Sequence, residues 1–305
     1  MEKCKVGVVG VGVMASGTAT LLISNGYPTV MYARTDKSCE KGVRNVTESL
    51  DDLIAHGLMT EGQKAKALTL LSTSTEYAGL ADCAFVVESV PETIAHKSEV
   101  MRNLEAVCAP DAILTSTTSA ISANEIAETM THKERFMVAH SWNPPHLVPL
   151  VEIVKSQYTS QEALDKEMAL LEDLGRVAVV LQKDAAGFIG NRLHHAIFRE
   201  AEYMIEQGIC SAEDIDKAYL ASLGPRYNSI GIMEYWDHIP VVQQKNIQSY
   251  LFPHLCDSHV PSQLLADKTA TGKDLFDWTP EKSADYEERK RKPFYDFATV
   301  TIEED

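Results

Sequence analysis

The sequence predicts an α/β chain: a mostly parallel sheet comes first and an all-helical part follows. Three observations carry this. From residue 5 to residue 181, short apolar runs bounded by turn residues alternate with helix-period stretches. A glycine-rich turn follows the first of these runs. Beyond Leu181 the strand patterns stop. Strands alternating with helices imply parallel pairing through right-handed crossovers. The expected division is residues 1–184 for the sheet domain and 185–305 for the helical one.

Composition narrows the function. The chain has 305 residues, of which 45% are hydrophobic and 24% charged, as in an ordinary two-domain globular protein. A formal net charge of −16 repels phosphate backbones, so nucleic acid is not an expected partner. The six cysteines form no C-x-x-C pair, which argues against a zinc site or a disulfide framework and suits a reducing cytoplasm. No metal site is expected. No apolar run approaches membrane-spanning length, and the glycine-broken N-terminus does not read as a signal peptide.

Lys5 to Val9 reads as a buried strand, followed by Gly10-Val-Gly12-Val13-Met14-Ala15 and a helix to Ser24 that Asn25-Gly26 stops. A second strand follows at Thr29 to Tyr32. This is G-x-G-x-x-A in a strand–turn–helix setting, the fingerprint of a Rossmann-type dinucleotide site. Gly10 permits the tight turn, and Gly12 lets a pyrophosphate approach the helix N-terminus. Val13 and Met14 open that helix and are expected beside the cofactor. The second strand should end in an acid if it is to hold an NAD ribose. Here that position is Ala33, followed by Arg34. Arg34 suits a 2′-phosphate, so NAD(P) is expected, with NADP(H) favoured. The alternatives are that Arg34 only stacks on adenine, or that Asp36 takes the acid's role after a register shift.

Residues 37 to 67 read as helices, with a short strand near Leu70 to Thr73. Ala84 to Glu88 and Ala112 to Ser116 are further strands; Glu92 and Lys97 flank a helix start after the first, and Ser119 follows the second. In parallel sheets the ligand crevice lies at the carboxyl ends of the strands. Next, Phe136 to Ala139 runs into His140, Pro144-Pro145 forces a turn, and Leu150 to Val154 carries Glu152. Strands joined this way can set His140 beside Glu152, a carboxylate-backed general base. A structural histidine with a rim glutamate is the plainer alternative. A helix near Gln161 to Leu174 and a strand at Arg176 to Leu181 close the sheet. Gly187 and Gly190 suit a bend at the domain boundary, and Asn191 begins a helix to about Gln207, either to cap it or to bond a substrate carbonyl. The charged tail, Thr279 to Phe297, reads as a solvated helix face.

Several segments, in order and with full spacing, resemble the 3-hydroxyacyl-CoA dehydrogenase family from residue 5 to about residue 280: Val87-Glu88 to Glu92 with Lys97, Thr117-Thr118-Ser119, His140 to Pro144, Leu150-Val151-Glu152, and Gly187-Phe188 to Asn191-Arg192. The resemblance is to short-chain, 3-hydroxybutyryl-CoA-like members. It implies that His140, Glu152, Ser119 and Asn191 are catalytic, and that Glu92 and Lys97 contact the cofactor. It further implies Ser119, Asn143 and Asn191 as substrate contacts, a role in fatty-acid metabolism, and a homodimer. His140 would take the proton from the 3-hydroxyl of an (S)-3-hydroxyacyl-CoA while C3 gives hydride to the nicotinamide. Departures are Thr117 for the usual Asn, Ala186 for the usual Pro, and few lysines between residues 40 and 75 to meet coenzyme A phosphates. The stretch Leu223 to Gly231 is more similar to the branch that oxidises free 3-hydroxy acids such as gulonate and carnitine. There Arg226 would hold the carboxylate, unless it serves only a salt bridge. A cofactor-binding protein without catalysis is the remaining alternative.

Overall fold

The computed structural model describes residues 2–304. Two compact units are present among the described residues: 2–189 with 285–304, and 190–284.

The first unit holds an eight-stranded sheet in the order β3-β2-β1-β4-β5-β6-β7-β8. The strands are β1 (Val6–Val9), β2 (Thr29–Tyr32), β3 (Leu71–Ser74), β4 (Phe85–Glu88), β5 (Ile113–Ser116), β6 (Phe136–Ser141), β7 (Leu150–Lys155) and β8 (Val177–Leu181). All neighbours pair in parallel except β6 and β7, which are antiparallel. The helices are α1 (Val13–Ser24), α2 (Asp36–Ala55), α3 (Glu61–Thr69), α4 (Ile94–Val107), α5 (Ala123–Ala127) and α6 (Gln161–Asp173). Helix α1 is buried from Ala15 to Ser24, as its nearly unbroken apolar and small-residue sequence requires. A Cβ on Gly17 would lie 2.6 Å from Pro145, so the missing side chain lets α1 meet the turn between β6 and β7. The order reverses between β1 and β4, and the turns after these two strands meet there: a Cβ on Gly10 (φ 120°) would lie 2.7 Å from the Ser89 carbonyl.

The second unit is helical: α7 (Gly190–Glu206), α8 (Ala212–Ala221), α9 (Leu223–Tyr227), α10 (Ile232–His238), α11 (Val241–Leu251) and α12 (Gln263–Thr271). Helix α13 (Pro280–Arg291) spans the boundary back to the first unit.

The chain divides after Ile189, and residues 285–304 return to the sheet unit, whereas the sequence places all of 185–305 in the helical domain. The returning segment carries its own anchors. The Tyr295 ring stacks on His56 at 3.8 Å and its hydroxyl donates to Asp52 at 3.1 Å. Thr301 and Ile302 donate their N–H groups to the Ser24 carbonyl, and Ile302 is buried in the core. No helix among the described residues is long and apolar enough to cross a membrane.

Candidate active site

Strand register sets the centre of the site. In the β6–β7 pair His140 lies directly opposite Glu152, so the two side chains share a face. Nδ1 of His140 is 2.9 Å from Oε2 of Glu152, and both residues are buried. Glu152 has two further donors: the Trp142 indole N–H at 3.1 Å, on the same oxygen, and the Ile189 backbone N–H at 2.8 Å, on Oε1. These three contacts hold the buried carboxyl group in one orientation. A carboxylate at Nδ1 makes that nitrogen the N–H donor and leaves Nε2 as the basic one. Trp142 and Phe188 flank the imidazole, with ring centroids 6.0 and 5.3 Å away. Phe188 has φ 49°, the left-handed region a bulky side chain avoids. That turn sets its ring against His140 and brings the next N–H, that of Ile189, onto Glu152.

A crevice of about 540 Å³ opens at the switch between β1 and β4. Gly10, Gly12, Arg34 and Ser38 line it, together with Tyr32 and Tyr77, whose rings stack at 4.1 Å. Two features fit a dinucleotide. A Cβ on Gly12 would meet nothing within 4 Å, so the turn leaves open space beside it. Gly12 also gives α1 no side-chain cap, so the helix presents its first N–H groups as an anion site. Asp36 opens α2 and lines a neighbouring groove with Cys39 and Glu40, while Arg34 and Ser38 face the crevice. Val13 and Met14 begin α1, and Val13 is well exposed.

Lys97 lies among carboxylates. Its Nζ sits 3.1 Å from each oxygen of the fully buried Glu88, 3.2 Å from Glu92 and 3.4 Å from the Val90 carbonyl. Only 1% of its side chain is exposed. A buried ammonium needs counter-charge at close range, and Glu88 and Glu92 supply it. Glu92 turns toward the loop after β5: the Thr118 hydroxyl and the backbone N–H groups of Ser119 (3.1 Å) and Ala120 (3.2 Å) all donate to its Oε1. Ser119 thus lies on a loop with a fixed backbone. Asn143 is exposed at the turn before Pro144.

Asn191 and Arg226 belong to the helical unit. Asn191 is half-buried in the first turn of α7; Arg226, in α9, has its guanidinium 4.8 Å from the Tyr235 ring centroid. Trp142, Phe188, Glu88 and Tyr77 are given no role from sequence, although Glu88 and Phe188 stand in segments that carry the family resemblance. Trp142 lies two residues after His140, just past the end of β6.

The sequence matches models of known families along most of its length. "3-Hydroxyacyl-CoA dehydrogenase, NAD binding domain" matches residues 5–185, and "3-hydroxyacyl-CoA dehydrogenase, C-terminal domain" matches residues 187–286. A 5-formyl-3-hydroxy-2-methylpyridine 4-carboxylate 5-dehydrogenase of Mesorhizobium japonicum is 27% identical over 94% of this chain and 95% of its own. A crystal structure of a dehydrogenase of that name, described as an NAD+ dependent dismutase, superposes with a TM-score of 0.86 over 97% of each chain at 25% identity. A 3-hydroxybutyryl-CoA dehydrogenase of Mycobacterium tuberculosis is 30% identical over 82% of this chain and 88% of its own. An L-carnitine dehydrogenase of Oceanobacillus iheyensis is 31% identical over 74% and 73%.

Proposed function

The chain belongs to the 3-hydroxyacyl-CoA dehydrogenase family, and on that premise we propose that it interconverts a secondary hydroxyl and a ketone with His140 as the base. The carrying observation is the buried 2.9 Å contact between His140 Nδ1 and Glu152. Glu152 holds the imidazole in the tautomer whose Nε2 accepts a proton, and it stabilises the imidazolium that results. Ser119 and Asn191 would hold the reacting oxygen and the neighbouring carbonyl. A nicotinamide nucleotide in the glycine-lined crevice supplies the hydride chemistry when bound.

For substrate form, the better supported reading is a small free hydroxy acid. Coenzyme A phosphates need clustered, available cations, and residues 40–75 hold five acids against four lysines and arginines. Lys64 is paired with Asp51, and Arg44 lies 4.0 Å from Glu40. Arg226, stacked on Tyr235, is the proposed carboxylate partner. The second reading, a short-chain 3-hydroxyacyl-CoA, has the M. tuberculosis relative in its favour. NADP(H) is the proposed nucleotide, because Arg34 and Ser38, not an acid, face the crevice after β2. A homodimer is proposed through the helical unit, whose large apolar side chains are widely exposed. Six free cysteines support a reducing, cytoplasmic setting.

The deciding assay follows nicotinamide absorbance with acetoacetyl-CoA in one direction and carnitine or gulonate in the other, with NAD(H) and NADP(H) in parallel. Turnover of a free acid that collapses in Arg226→Ala is the expected result. Turnover confined to the thioester would overturn the free-acid reading, and undiminished turnover in His140→Ala would overturn the assignment of the base.

A further inference from the structure

We infer that the returning tail positions the turn between His140 and Glu152, with the buried Arg176 as the positioning residue that joins the two. The inference rests on the reading of His140 as the base. The tail residues concerned, Phe297 and Thr299, lie beyond residue 286, where the match to the family's C-terminal domain model ends.

Arg176 stands between α6 and β8 and is 6% exposed. Its nitrogens bond three separate segments. Nε donates to the Leu174 carbonyl at 3.1 Å, at the end of α6. Nη1 donates to the Pro145 carbonyl at 3.4 Å, in the turn between β6 and β7. Nη2 donates to the Phe297 carbonyl and to Thr299 Oγ1, each at 3.0 Å, in the tail. A rigid guanidinium fork sets the spacing of the groups it bridges, which a flexible ammonium does not. Burial lowers this guanidinium to about 10, so it keeps its charge at neutral pH. A charge taken out of water is costly unless its hydrogen bonds are kept, so movement of tail or turn away from Arg176 is opposed.

Each side of the clamp is fixed again. On the tail side, Thr299 Oγ1 donates to the Leu174 carbonyl at 2.9 Å, and the fully buried Asn25, at the end of α1, donates its amide to the Thr299 carbonyl at 2.9 Å. A Cβ on Gly175 (φ 65°) would lie 2.6 Å from Thr299 Cγ2, so the glycine lets the tail pass close to Arg176. On the turn side, the Val177 N–H donates to the Pro149 carbonyl at 2.9 Å. Arg176 and Val177 therefore hold the turn at Pro145 and at Pro149. Within it, the N–H groups of Leu147 and Val148 donate to the Pro144 carbonyl at 3.0 and 2.9 Å. This turn carries Asn143 and joins the strand of His140 to the strand of Glu152. Its placement matters for chemistry, because an ångström of misplacement costs on the order of a hundredfold in rate.

The test compares Arg176→Met, Thr299→Val, Thr299→Ser and the Arg176→Met/Thr299→Val double variant in the full chain. Four quantities are measured: kcat with the best substrate, the Kd for reduced nucleotide by fluorescence titration, hydrogen–deuterium exchange of residues 142–149, and Tm. Arg176→Met is expected to lower kcat by roughly 10- to 100-fold, to speed exchange at 146–148, and to leave Kd within about threefold. Thr299→Val keeps the side-chain shape and the fold, and should lower kcat by about three- to tenfold with the same faster exchange. Thr299→Ser keeps the hydroxyl and should match wild type. In the Arg176→Met background, Thr299→Val should add little. A lowered Tm with wild-type kcat and wild-type exchange at 146–148 would make the tail a structural brace and overturn the inference; if Arg176→Met does not fold, Thr299→Val decides this alone. Additive losses in the double variant would show that tail and turn are not joined through Arg176, and would also overturn it. So would a Kd raised about tenfold with kcat unchanged, which would direct the effect of the tail to the nucleotide through α1. Undiminished turnover in His140→Ala would remove the base, and the catalytic meaning of the turn with it, whereas exchange at 146–148 still reports whether the tail holds the turn.

Discussion

The sheet unit and the helical unit treat their apolar residues in opposite ways. In the sheet unit β1 and β5 are buried throughout, α1 is buried from Ala15 to Ser24, and His140 and Glu152 lie within the same interior. In the helical unit, α7 to α12 contain no buried residue, and Val241, Val242 and Tyr250 are each at least 70% exposed. One unit thus completes its own core and can hold a base and its carboxylate in fixed geometry. The other presents side chains whose burial depends on a further surface.

The comparison is tested most severely at the base. If the chemistry resides in the self-sufficient unit, His140→Ala should lower kcat by about 10²- to 10⁴-fold while the Kd for nucleotide, measured by fluorescence, stays unchanged. Next comes Glu152→Ala. It strips a buried acceptor from His140, Trp142 and the Ile189 N–H, so a loss of about 3 kcal/mol or more in urea unfolding is expected, along with the loss of turnover.

Glu167 sharpens the picture of the interior. Burial in α6 raises its carboxyl to about 7. The folded state then keeps a proton that the unfolded state releases near pH 4.5, so stability falls as pH rises between about 4.5 and 7. Glu167→Gln should stabilise the fold at pH 8 by up to about 3 kcal/mol from a shift of that size, seen as a higher Tm, and change nothing at pH 4. No difference at pH 8 would mean that the carboxyl reaches solvent. A smaller effect, about 1 kcal/mol, is expected for Tyr295→Phe, which loses the hydrogen bond to Asp52 that ties the returning tail to α2. The least folding cost falls in the helical unit. Val241→Glu with Val242→Glu should change stability by no more than about 0.5 kcal/mol per site in an isolated chain, yet convert the proposed dimer to a monomer in sedimentation. A pair that unfolds the unit instead would show that these residues are core.

Local signals carried much of this protein. The glycine fingerprint at Gly10 and Gly12, the strand–helix alternation and the stop after Leu181 are each written within a few residues, and each has its counterpart in the structure. The pairing of His140 with Glu152 was also legible, because the segment joining β6 and β7 is short and the alternation of side chains then sets the register. What tertiary structure alone decided are the partners of charged and aromatic groups. Lys97 reads as a cofactor contact in sequence; that Glu88 and Glu92 surround it is decided by the fold. The turn at Phe188 and the return of residues 285–304 to the sheet unit likewise follow from surfaces far away in the chain. Periodicity and turn chemistry act over a few residues and can be read from one segment at a time. A buried charge takes whichever counter-charge the folded strands bring within reach, and that neighbour is set only when the sheet has formed.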